Sequence, residues 1–195
     1  MSATHEQLDR RFEFLERAFR EALIARGIFT QADVDAKVEF LHTRSPLLGA
    51  RVVARAWKDA EFKARLLADG SAAVRELGIE VGSLRLIVVE NTPTTHNLIV
   101  CTLCSCYPRM LLGLPPDWYK SIPYRARAVR EPRAVLAEFG LLLPENVALR
   151  VHDSTADMRY LVVPQPPAGY EALDETQLVP YVSRDSMIGV ATVGA

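Results

Sequence analysis

Apolar residues recur every three or four positions near the start of the chain: Leu8, Phe12, Leu15, Phe19 and Leu23, with Ala22 one step off. That period lines one face of a helix over residues 6–26, about 30 Å long, and Gly27 ends it. Thr30 followed by Asp33 reads as a capping box with Asp in place of Glu, so a second helix runs to about His42. Further helical segments are expected at 46–57 and 59–69, with a shorter one at 71–77 ending at Gly78. The period then changes. LRLIVVE (84–90) and NLIVC (97–101) read as short strands separated by the turn-like NTPTTH. ALRVHD (148–153) and RYLVVP (159–164) read as two more, joined by STADM. Between the pairs, EPRAVLAEFG (131–140) is a short helix with Pro132 in its first turn and Gly140 beyond its end. The intervening LGLPPDWYKSIPYRARAV, rich in proline and aromatics, has no readable period. A last short helix is expected at 174–182. The pattern predicts an all-helical first third and a mixed α+β remainder. The N-terminal helices either pack on a partner chain or cap this chain's own sheet.

Composition narrows the function classes. The 195 residues make one large domain, or one domain with an extension, and 49% hydrophobic residues suffice for a core. A net charge of −1 gives no broad attraction to nucleic acid or to an anionic membrane. Arginine supplies 19 of the 23 basic residues, which suits fixed ion pairs and subunit contacts. No apolar run approaches the roughly 18 residues that cross a bilayer, and MSATHEQLDRRFEFLERAF has no signal-peptide core. A cytoplasmic location is therefore expected.

All three cysteines fall within VCTLCSCYPR, residues 100–109. Three thiols cannot all pair within one chain. A structural zinc site wants four ligands, and the nearest histidine, His96, lies five residues before Cys101. An iron–sulfur cluster also wants four thiolates. A thioredoxin-like pair of Cys101 and Cys104 would leave Cys106 unexplained. Three small buried hydrophobes is a further reading. Another uses the backbone: with the Ser105 and Cys106 amides deprotonated, the sulfur of Cys104, the two nitrogens and the sulfur of Cys106 can surround a metal in one plane. Cys101 then supplies an axial ligand and one position stays open, as catalytic metal sites require. Thiolates and amidates together suit a low-spin trivalent cobalt or iron better than zinc. Thiolates there are prone to oxidation.

VCTLCSCYP closely resembles the metal claw of nitrile hydratase α subunits and of the related thiocyanate hydrolase subunit. LGLPPDWYKS, YRARAVREPRAVLAEFG, RVHDSTADMRYLVVPQPPAG and SRDSMIGV extend the resemblance over about residues 46–190. It implies an α+β fold, with an N-terminal helical arm (1–45) before a layered α/β/β/α metal-binding catalytic domain (46–195). It implies Cys101 as axial thiolate, Cys104 as cysteine-sulfinic acid and Cys106 as cysteine-sulfenic acid, with Ser105 and Cys106 giving their amides. Thr102 and Tyr107 look like the cobalt variant, so the cofactor implied is a non-corrin Co(III), with Fe(III) as the alternative. The implied reaction is hydration of R–C≡N to R–C(=O)NH₂, the nitrile being polarised by the metal or attacked by the sulfenate oxygen of Cys106. A β-type subunit, whose arginines hydrogen-bond the oxidised cysteines, is the implied partner.

Two departures stand out. Most of the family resembles YPWPVLGLPP where this chain has YPRMLLGLPP with Arg109 and Met110, and Gly82-Ser83 stand about where a glutamine is usual. They point away from the usual small nitriles, toward a nucleoside nitrile such as toyocamycin, or toward thiocyanate hydrolysis to carbonyl sulfide and ammonia. A non-catalytic cobalt-binding module is the remaining reading. Trp118, Tyr107 and Arg109 are candidates for the substrate pocket, each also explicable by packing or solvent exposure. His96 is a strand-end residue or a neighbour of the site. Arg125, Arg127, Arg130 and Arg133 suit ion pairing or subunit contact, and turn chemistry accounts for Asp153 and Ser154.

Overall fold

The computed structural model describes residues 5–194. By contacts the chain divides into two compact units, one ending at Thr43 and one starting at Arg44. The first holds α1 (His5–Ala25) and α2 (Gln31–His42). The capping box at Thr30 forms: Asp33 N donates to Thr30 Oγ1 at 3.2 Å, and Thr30 N donates to Asp33 Oδ2 at 2.7 Å. The α1 stripe of Phe12, Leu15 and Phe19 is exposed.

In the second unit, α3 (Pro46–Lys58), α4 (Ala60–Ala68) and α5 (Gly70–Glu76) follow in quick succession. Asp59 and Asp69 separate them, each accepting a hydrogen bond from the backbone N–H three residues on. The strands are β1 (Arg85–Glu90), β2 (Thr95–Val100), β3 (Ala148–Asp153) and β4 (Met158–Val163). Four helices lie between β2 and β3: α6 (Arg109–Leu112), α7 (Asp117–Lys120), α8 (Ile122–Arg130) and α9 (Pro132–Glu138). The second and third fill the segment without a readable period. Its prolines sit at helix starts, where a missing N–H costs nothing, and Ser121 caps α8. After β4 come a 3₁₀ turn at Tyr170–Ala172, α10 (Glu175–Leu178), another 3₁₀ turn at Val179–Tyr181, and α11 (Arg184–Ile188).

The strands do not form hairpins. β1 pairs with β4, and β2 with β3, both in parallel. Parallel neighbours need a long crossover, and the helices α6–α9 provide it for β2 and β3. The two sheets touch each other through β1, β2 and β4. α4 and α5 pack on the first sheet and α8 and α9 on the second, while α11 touches β4 of the first and, through Gly189, β2 of the second. The result is the expected α/β/β/α layering. Such strands read as continuous apolar runs because both faces are covered: Leu98, Ile99, Val100, Leu161, Val162 and Val163 are all buried.

Three buried polar side chains of this core, Asn91, His96 and Asn97, satisfy one another. His96 Nε2 lies 2.7 Å from the Gly189 carbonyl and its Nδ1 lies 3.3 Å from Asn91 Nδ2, which sets the ring neutral with the proton on Nε2. Asn97 donates to the Glu90 carbonyl at 2.8 Å and faces His152 Nε2 at 2.8 Å. Gly189, which ends α11, has φ +96°, and a Cβ there would sit 1.9 Å from the Asn97 carbonyl oxygen. Gly189→Ala should therefore destabilise by about 3 kcal/mol or more in urea unfolding. Gly140→Ala, at φ +82° with open space around it, should cost only about 1–2 kcal/mol. The difference isolates the contact between α11 and β2.

Candidate metal centre

Val100 ends β2, and its partner across the sheet is Asp153, the last residue of β3. The cysteine loop begins at the next position. Asp153 reaches over and takes it by both available donors: Thr102 N donates to Oδ1 at 2.9 Å and Thr102 Oγ1 to Oδ2 at 2.6 Å. Ser154 N donates to the Val100 carbonyl at 2.8 Å, extending the ladder one step. Turn chemistry does not exhaust the role of Asp153, which fixes the start of the loop. The far side is held by Arg125, whose Nη1 donates to the Cys104 carbonyl at 2.6 Å, and by Tyr119, whose hydroxyl donates to the Cys106 carbonyl at 2.8 Å. Arg125 thus serves the loop, whereas Arg127 makes ion pairs with Glu131 and Glu138.

Held this way, the loop turns its three sulfurs onto one point. Cys101 Sγ and Cys104 Sγ are 3.6 Å apart, Cys104 Sγ and Cys106 Sγ are 3.3 Å apart, and all three lie within 4.8 Å of one another. Cys101 is fully buried, Cys104 is exposed and Cys106 lies between. The main chain turns inward too. Cys104 N donates to Cys101 Sγ at 3.3 Å, and the Ser105 and Cys106 amides lie close enough to Cys104 Sγ to favour its thiolate. His96 takes no part, being bound to Gly189.

The same contacts divide the thiols electrostatically. Hydrogen bonds from the Cys106 and Cys101 thiols and from the Ser105 amide bring the Cys104 thiol down to about 7. Burial, then the neighbouring Cys104 sulfur, pushes Cys106 up to about 12, against an opposing pull from Arg159. The cluster opens on a cavity of about 290 Å³ lined by Leu84, Tyr107, Arg109, Met110 and Arg159. Tyr107 is buried there, its hydroxyl pushed above its ordinary range by desolvation and without a partner among the described residues. Arg109 is exposed. The guanidinium of Arg159 is tethered by Nη1 to the carbonyls of Thr155, Ala156 and Met158, while its buried Nε has no partner among the described residues. Trp118 lies elsewhere. Its ring stacks edge-on against Tyr124 at 4.9 Å and Phe139 at 4.7 Å, lining a separate small cavity. Of the three pocket candidates, the fold brings Tyr107 and Arg109 to the cysteines and places Trp118 behind Tyr119.

Three soft sulfur donors within 4.8 Å of one another, with the Ser105 and Cys106 amides beside them, fit a metal ion held by sulfur and main-chain nitrogen. Among the described residues this is the one group of three or more cysteine, histidine or acidic side chains able to share an ion.

In the reduced, metal-free chain, iodoacetamide should modify Cys104 first. Its rate should rise about tenfold per pH unit up to about pH 7 and then level off. Peptide mass mapping that finds Cys106 labelled first would contradict this order. Asp153→Ala should cost about 1–3 kcal/mol of stability by urea unfolding and make buried Cys101 alkylate readily.

A family model described as "Nitrile hydratase, alpha chain" matches residues 10–191. The match takes in most of the N-terminal helices, which the sequence motifs did not reach. The chain is 50% identical over 179 residues to the low-molecular weight cobalt-containing nitrile hydratase subunit alpha of Rhodococcus rhodochrous, covering 90% of this chain and 86% of that one. It is 45% identical to the thiocyanate hydrolase subunit gamma of Thiobacillus thioparus, over 92% of this chain and 79% of the relative. A solved Fe-type nitrile hydratase double mutant from Comamonas testosteroni Ni1 superposes with a TM-score of 0.88 at 41% identity, covering 98% of this chain and 92% of that one. No described helix is long and apolar enough to cross a membrane. With the cysteine loop, the layered fold and a match along nearly its whole length in agreement, this chain belongs to the nitrile hydratase alpha-chain family.

Proposed function

We propose that this chain is the metal-bearing subunit of an enzyme that hydrates a nitrile to its amide. The observation that carries the reading is the convergence of Cys101, Cys104 and Cys106, with the Ser105 and Cys106 amides, at the floor of an open cavity. In this reading Cys101, Cys104 and Cys106, with the backbone amides of Ser105 and Cys106, would hold the ion. The cobalt-containing relatives and Thr102 and Tyr107 favour non-corrin Co(III) over Fe(III). Such an ion supplies Lewis acidity without cycling its oxidation state.

The chain's own residues have separate tasks. Asp153, Arg125 and Tyr119 hold the loop by three hydrogen-bonded anchors, so the donors need not reorganise. Arg159 places positive charge beside Cys106 and favours an anionic sulfur or sulfenate there. That anionic oxygen, with Cys104 as sulfinate, is the group that attacks the nitrile carbon or positions the attacking water. Tyr107 walls the cavity. Trp118 backs Tyr119, whose hydroxyl steadies the Cys106 carbonyl. A β-type subunit completes the cavity. Leu103, at the loop's apex, is 85% exposed and Ile122, at the start of α8, is 72% exposed, surfaces suited to cover by another chain.

One observation favours a second reading. Arg109 points a cation with no ion pair among the described residues toward the claw cavity. An anion such as thiocyanate suits it, and a thiocyanate hydrolase subunit is among the relatives.

The test is turnover by the cobalt-loaded complex with its β-type partner, offered nitriles and thiocyanate separately. Nitrile hydration is expected, and turnover of thiocyanate alone would replace the first reading with the second. Intact mass should reveal three added oxygens on Cys104 and Cys106, whereas a cobalt carrier keeps plain thiols. Each single Cys→Ser change should weaken metal retention by more than the roughly 10–100-fold that outer-shell changes cost.

A further inference from the structure

Leu84 is a wall shared by two cavities. One is the cysteine cavity, and the other is a larger cleft of about 620 Å³ along β1, lined by Ser71, Arg75, Ser83, Arg85 and Leu86 among others. The dividing wall is braced. Ser71 Oγ accepts from Leu86 N at 2.8 Å and donates to the Leu84 carbonyl at 3.4 Å. Arg85 follows Leu84 directly in the chain, so cationic charge begins one residue from the cysteine cavity.

The cleft has charge to spare. The side chains of Arg75 and Arg85 have no ion pair among the described residues, and both are exposed. The one carboxylate in the lining, Asp69, is turned to cap α5 by accepting from Ala72 N at 3.0 Å. Leu67 supplies apolar surface to the same cleft, while the side chain of Leu86 is buried. Two arginines lining one cleft beside the cysteine cavity match a carboxylate or phosphate at the end of a spacer.

We propose that this cleft is a tail subsite, in which Arg75 and Arg85 bind the carboxylate or phosphate of an elongated nitrile whose C≡N end enters the cysteine cavity past Leu84. The inference rests on the nitrile-hydrating reading and extends it to a substrate class.

The test compares nitriles of one spacer length ending in a carboxylate, a phosphate or a neutral primary amide, with a short neutral nitrile as reference, on the cobalt-loaded complex. The anionic nitriles should have KM values about tenfold below the amide-ended one, the lower of the two naming the preferred anion. Arg75→Ala combined with Arg85→Ala should erase that advantage and leave kcat, and both constants for the short nitrile, unchanged. Equal KM values for charged and neutral tails in the parent enzyme, or an advantage that survives the double change, would overturn the subsite. Calorimetric titration of glutarate and of inorganic phosphate into the same complex reads the cleft without turnover. Binding that the double change abolishes supports the subsite even if no nitrile is hydrated, an outcome that would sink the functional reading alone. No binding, or binding indifferent to the change, counts against the subsite.

Discussion

Parallel pairing of β2 with β3 sets the C-terminal ends of both strands side by side, and the rest of the cysteine centre depends on that placement. The register puts Val100 opposite Asp153. The loop leaving β2 therefore meets a carboxylate at its first free amide, and Thr102 is taken by two hydrogen bonds before the chain turns. Without that anchor a six-residue loop with three thiols has many conformations. With it, and with Arg125 and Tyr119 holding the carbonyls beyond, few remain. Ligands outside the carboxyl ends of parallel strands are a recurrent outcome of such sheets. Here each sheet has only two strands, and the mutual contact of the sheets supplies the rigidity that a wider one would have.

Crowding three thiols within 4.8 Å has an electrostatic consequence. The first to ionise gains two sulfur donors and a backbone amide, so Cys104 comes down to about 7. The next must ionise beside it in a partly buried place, and Cys106 is pushed to about 12. Such an arrangement binds one proton fewer with ease and resists losing more. A multivalent cation reverses that balance, because its charge compensates every thiolate at once and metal binding releases their protons. Binding of a multivalent cation at these sulfurs is therefore linked to proton release.

Much of this was legible in the sequence because local rules govern it. The Thr30–Asp33 capping box, the helices around Asp59 and Asp69, and β3 at Ala148–Asp153 follow from caps and periodicity alone. The parallel pairing did not follow, since short turns such as STADM are equally compatible with hairpins, and partner choice is a long-range property. The segment from Leu112 to Arg130 hid its helices because its prolines, placed at helix starts, read as breakers. Asp153 looked like a strand-end turn residue, and its service to Thr102 becomes visible only once β3 lies beside β2. Trp118 was read as a pocket wall, and within this chain it stacks on Tyr124 and Phe139 and backs Tyr119. Adjacency in sequence to a site is a weak guide where a helix turn can aim a side chain to the other side.

The centre and its surroundings answer to different constraints. The cysteine loop is held at Thr102, Cys104 and Cys106 by partners from β3, α8 and α7. The cavity above it is set by side chains with few obligations. Arg109 has no ion pair among the described residues, and Arg159 is tethered through one nitrogen while its Nε is left without a partner. Substituting Arg109 would change the charge seen by an incoming molecule without loosening any donor. That separation explains how one metal-binding scaffold can serve both a neutral nitrile and an anion such as thiocyanate among its relatives. In this chain the guanidinium groups of Arg109 and Arg159 line the cavity, and the cysteine sulfurs lie beside them.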